Sequence, residues 1–97
     1  MKIFAIASIP GGMLGPEQLK DHMPAEVHAT LKHYLDGKIE QFWFRDKAGP
    51  IFLMNAESVD AARAELATLP LVAAGLMTYE LLPVMPLMPL GRLLPTA

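Results

Sequence analysis

With no cysteine in its 97 residues, the chain has no thiolate nucleophile, disulfide or Cys-ligated metal, so proton transfer falls to histidine and carboxylate. His28 stands on the flank of the helical stripe Pro24, Val27, Leu31 and Leu35, which is expected to face a sheet. An imidazole so placed can take or give a proton near neutral pH. Glu80 interrupts the apolar run Leu76 to Leu82, and alternation puts it on one face with Leu76, Thr78 and Leu82. A carboxylate there is costly to bury unless it finds a partner, and unpaired it becomes a candidate general base. His28 and Glu80 are thus the expected catalytic pair, bridged by a substrate rather than touching. Structural roles stand beside this reading: His28 bonded to a backbone group, and Glu80 paired with Lys2, Lys38 or Arg45.

The expected binding surface is aromatic. Phe42, Trp43 and Tyr79 can wall a flat, unsaturated ligand, with Glu40 as a second acid on the face of Phe42 and Phe44 and Arg45 as a nearby cation. Core packing is the alternative use of the same rings. His22 and His33 fall with Glu26 and Ala29 on the other side of the helix and are expected to be solvated. No metal site is expected, because His28 and His33 are five residues apart, about 140° around a helix. Gly11-Gly12 lacks phosphate-loop spacing, and Ser58 has a capping role rather than a nucleophilic one.

The elements that must position these residues follow from periodicity. Lys2 to Ile9 reads as a strand, and Pro10 to Gly15 as a loop. Pro16 to Met23 and Pro24 to Leu35 are helical, Pro24 marking a kink or a fresh start. Asp36-Gly37 ends the helix, Lys38 to Arg45 and Pro50 to Asn55 are strands around a hairpin at Asp46-Lys47-Ala48-Gly49, and Ser58 caps a helix carrying Val59, Ala62, Leu66 and Leu69. Pro70 stops that helix, a turn follows at Ala73-Ala74-Gly75, and Leu76 to Leu82 is the last strand. The order β-α-β-β-α-β predicts an α+β, ferredoxin-like fold: a four-stranded antiparallel sheet with two helices on one face.

Composition says what covers the other face. Hydrophobic residues make up 53% of the chain, only 19% are charged, and the mean hydropathy is +0.32, more apolar surface than so small a domain can bury alone. Self-association into a homodimer or higher homo-oligomer is therefore expected. A net charge of −2 gives no footprint for nucleic acid. The apolar N-terminal run is too short for a signal or a membrane span, which predicts a cytoplasmic protein with no membrane partner. Residues 1–83 form the expected domain, and 84–97, apolar and proline-rich, an arm packed on a neighbouring subunit.

Three stretches carry a family likeness: the helix ending into Gly37-Lys38 before the strand with Trp43, Glu57-Ser58 opening the second helix, and Leu69-Pro70-Leu71 leading to the strand with Glu80, Leu81 and Pro83. On these the chain resembles the muconolactone isomerase-like group of dimeric α/β-barrel proteins. The resemblance implies a barrel of two sheets, and a cofactor-free enzyme moving a proton on a small unsaturated acid, lactone or polyketide-like compound. Where the isomerases carry basic residues and histidine after Gly37-Lys38, this chain has Glu40, Gln41 and Phe44. It also has Val84 and Met85 where their histidine is expected. Two alternatives stand beside the isomerase-type reading: a cofactor-independent monooxygenase of an aromatic substrate, and a non-catalytic ligand-binding or structural oligomer.

Overall fold

The computed structural model describes residues 1–85. Four strands, β1 (Lys2–Ser8), β2 (Ile39–Arg45), β3 (Gly49–Asn55) and β4 (Thr78–Val84), form one antiparallel sheet in the order β2-β3-β1-β4. The fold is ferredoxin-like, as the element order predicts. The helices are α1 (Pro16–Leu35), α2 (Val59–Leu66) and α3 (Pro70–Ala73). The expected C-terminal arm, beyond Val84 and Met85, lies outside the described residues. Among the described residues no helix is long and apolar enough to cross a membrane.

Two helical expectations are refined. Of the two readings of Pro24, a kink or a fresh start, the fresh start is excluded, because α1 runs for 20 residues with Pro24 inside it. Pro16 at its first position, and a Gly15 N–H that donates to Gln18 Oε1 at 2.8 Å, fix its start. After α2, Pro70 does not merely stop helix: it opens the extra one-turn helix α3 at the position that tolerates a missing N–H. This third helix delays the last strand, which begins at Thr78 rather than Leu76. Ser58 caps α2 as expected, its hydroxyl oxygen accepting from Ala61 N–H at 3.0 Å.

The register sets the two sheet faces. Ile3, Ala5 and Ala7 of β1 align with Phe52 and Met54 of β3 and with Tyr79 and Leu81 of β4, and this face packs under the helices. Ile3, Ile39, Phe52, Met54, Leu66 and Leu69 are buried there. The opposite face, helix-free among the described residues, carries Phe4, Ile6, Ile51, Leu53 and Leu82, with Leu82 41% exposed.

Candidate functional site

The expected sheet-facing stripe of α1 is off by about one residue, roughly 100° of rotation. Glu26 is buried and Met23, Ala29, Thr30 and His33 are partly buried, whereas Val27, Leu31 and Leu35 are 49%, 46% and 81% exposed. The reason lies in the partners: the stripe that packs inward holds Glu26 and His33, and Glu26 Oε1 and His33 Nε2 each meet a partner on another element, while His33 Nδ1 is buried without a hydrogen bond among the described residues. His33, expected to be solvated, places Nε2 at 2.9 Å from Thr68 Oγ1 and Nδ1 at 3.6 Å from Glu65 Oε2, while Lys38 reaches the same carboxylate at 3.1 Å.

Glu26 is the one charged residue buried among those described, at 6% exposure. Its Oε1 accepts the Leu71 N–H at 2.9 Å. Leu71 is the second residue of α3, whose N-cap position is Leu69, a side chain with no acceptor, so a carboxylate from α1 does the capping instead. Burial pushes the Glu26 carboxyl above the usual carboxylate range, against the opposing pull of the Leu71 N–H and of His22. Beneath it Tyr79 stacks on Phe52 with ring centroids 5.5 Å apart. The Tyr79 hydroxyl is buried with no hydrogen-bond partner among the described residues. Its pKa is driven up by burial first and by the charge of Glu26 second.

Glu26 sits in a cleft of about 480 Å³ on the helix side of the sheet. Val27 and Leu31 of α1 line it from the helix side and Phe42, Phe44 and Phe52 from the sheet, with Leu71 and Met77 also in the lining. Lys47, at the hairpin tip, is the only other charged residue lining it among the described residues. Because Oε1 is tied to Leu71, Oε2 is the oxygen available to a ligand. The arrangement is an apolar slot with aromatic sides and a single carboxyl inside, and such a carboxyl can take a proton from a weakly acidic group and return it. Among the described residues no three His, Asp or Glu side chains gather as metal ligands.

The hairpin that carries Lys47 is held by Arg45. Its Nε donates to Gly49 O at 3.2 Å, and its Nη2 to Ala7 O at 2.6 Å and Ala48 O at 2.9 Å. Gly49 has φ +86°, and a Cβ there would stand 3.0 Å from Ala7 Cβ. Gly49→Ala is therefore expected to cost more than about 1 kcal/mol, read as a lowered urea midpoint.

Of the expected site residues, Phe42 stands in the cleft, edge-on to Tyr34 at 5.2 Å between ring centroids. Tyr79 lies behind Phe52 rather than on the cleft wall. Trp43 touches the cleft at the edge strand, but its indole packs on Phe4 across the helix-free face, at 6.3 Å between centroids. Glu40 pairs with Lys2 at 2.5 Å. The structure does not bring His28 and Glu80 together: His28 is exposed on α1, and Glu80, opposite Ile6, is exposed on the helix-free face, with the sheet between them. Glu26 and Lys47 were missed as cleft residues. The available signal was Leu69-Pro70-Leu71, a helix start with no capping side chain of its own, which requires an acceptor from elsewhere.

No protein-family model matches the chain, and no curated protein matches it. Among solved structures it is similar to 5-chloro-2-hydroxyhydroquinone dehydrochlorinase (TftG) from Burkholderia phenoliruptrix AC1100 in complex with 2,5-dihydroxybenzoquinone. The TM-score is 0.67 with 20% identity, over 88% of this chain and 94% of that one. The likeness is one of fold.

Proposed function

We propose that the cleft binds a small, largely apolar unsaturated compound and that Glu26 exchanges a proton with it, in a cofactor-free reaction of the isomerase type. The observation that carries this reading is a carboxyl 6% exposed among apolar and aromatic side chains, with burial holding its pKa above the ordinary range. Glu26 Oε2 takes a proton from a carbon beside a carbonyl or an extended double-bond system, and the protonated carboxyl returns it one position along. The neighbouring fold's bound dihydroxybenzoquinone, a flat unsaturated ring, supports a ligand of that general shape. Incubation with candidate unsaturated lactones and cyclic enones in deuterated water tests the reading: label should enter a carbon-bound position, and should fail to do so with Glu26→Gln. Incorporation at an equal rate in the variant would remove Glu26 from the chemistry.

A second reading has its own observation. The bond from Leu71 N–H makes Glu26 a capping group for α3, and in that case the protein binds a ligand without turning it over. A retained ligand with no exchange by the wild type would favour it.

The same proposal includes pairing of two copies through the helix-free face, whose apolar residues Phe4, Ile6, Ile51, Leu53 and Leu82 leave water on contact. Sedimentation at micromolar concentration should give a dimer or larger assembly. Ile51→Lys, which puts a charge in the middle of that face opposite Ile6, should shift the protein toward monomer. A wild type that sediments as a folded monomer would leave this face without the assigned role.

A further inference from the structure

The two charged residues that line the cleft among those described define what kind of molecule fits. Glu26 lies inside among apolar side chains, and Lys47 lies at the hairpin tip. Lys47 is the one non-glycine with positive φ among the described residues, at 61°, a conformation that costs a side-chain-bearing residue some energy. The Arg45 guanidinium fixes that turn by bonding the carbonyls of Ala48 and Gly49 and anchoring them to Ala7. No ion pair among the described residues involves Lys47, and the adjacent Asp46 does not line the cleft. Arg45 does not line the cleft and its Nε and Nη2 donate to carbonyls, so among the described residues Lys47 is the cation the cleft can offer a ligand.

Size supplies the second constraint. An apolar cavity of about 150 Å³ holds one benzene ring, and this cleft measures about 480 Å³. It is lined by Val27, Leu31, Phe42, Phe52 and Met77, suited to a flat body of two or three rings.

We infer that the ligand of this cleft is a planar aromatic or conjugated monoanion of two to three rings, its anionic group at Lys47 and its far end at Glu26. This rests on the reading of the Glu26 cleft as a ligand site. A dianion is excluded from the inner end, where its second charge would meet the Glu26 carboxyl without a cation. A single-ring acid leaves much of the apolar wall in water.

Calorimetric titration of the intact protein with 2-naphthoate, its uncharged isostere 2-naphthamide, and benzoate tests charge and size separately. Naphthoate should bind tighter than naphthamide by roughly 3- to 10-fold at low salt, and tighter than benzoate by about tenfold or more. Lys47→Gln should bring naphthoate down to the level of naphthamide and leave naphthamide unchanged, while Lys47→Arg should keep the preference. Equal binding of the charged and uncharged probes, a Lys47→Gln effect on both alike, benzoate binding as tightly as naphthoate, or no binding of any probe would each overturn the assignment. These affinities do not depend on turnover. A cleft with the charge and size preferences but no deuterium incorporation would overturn only the catalytic reading, and incorporation without the preferences only this one.

Discussion

Glu26→Gln is expected to cut proton exchange on a bound substrate by about 10²-fold or more while making the protein more stable at neutral pH than the wild type. The two effects have opposite signs because one carboxyl serves both. Burial, the dominant cause, raises the Glu26 pKa above the ordinary 4.5, with the Leu71 N–H and His22 opposing. The folded protein therefore holds this proton more tightly than the unfolded chain does. The contribution of the neutral carboxyl to stability is fully present below 4.5 and is lost as pH rises through the folded value. Glutamine keeps an acceptor for the Leu71 N–H and cannot ionise, so the variant should not show that loss. Urea unfolding at a series of pH values measures it: the midpoints of wild type and variant should coincide in acid and part as pH rises, the variant higher. Parallel curves would mean that the carboxyl is solvated in solution. Glu26→Ala behaves differently, since it leaves the Leu71 N–H buried without an acceptor, at a cost of about 1–3 kcal/mol.

The sequence made the sheet legible and left the site largely hidden, for a physical reason. Strand alternation, the Asp46 to Gly49 hairpin and the Ser58 cap are local signals, and each appears in the structure within a residue or two of where it was read. The inward face of α1 is set by partners distant in sequence. Glu26 is buried because Leu71, 45 residues away, donates to it, and His33 is partly buried where its Nε2 meets Thr68. A periodicity count assigns both to solvent, because it scores polar residues as outward. Val27 and Leu31, read as the buried stripe, instead wall an open cleft. Glu80 shows the same limit from the other direction: alternation places it on a face with Thr78 and Leu82, but only the pairing with Ile6 tells that this is the face opposite α1, α2 and α3.

Phe52→Ala is expected to give the largest stability loss of any single core substitution, about 3–5 kcal/mol. Phe52 is 1% exposed at the centre of the sheet, aligned with Ala5 on one side and Phe42 on the other. The small side chain of Ala5 is what gives its ring room, so nothing on β1 can collapse into the space the ring vacates. The same ring is the support on which Tyr79 stacks and part of the cleft wall beneath Glu26. Its loss therefore joins the core void to the ligand cleft. Because 3–5 kcal/mol is a large part of the stability of a domain of this size, roughly 5–15 kcal/mol, Phe52→Leu belongs beside it, at a cost of about 1–2 kcal/mol. Equilibrium urea unfolding gives both values. The leucine variant, still folded, should bind naphthoate more weakly than the wild type, since it removes an aromatic face from the cleft without touching Lys47 or Glu26. If it binds naphthoate as tightly as the wild type, the ring is core alone and the wall of the cleft lies nearer to Phe42 and Leu31.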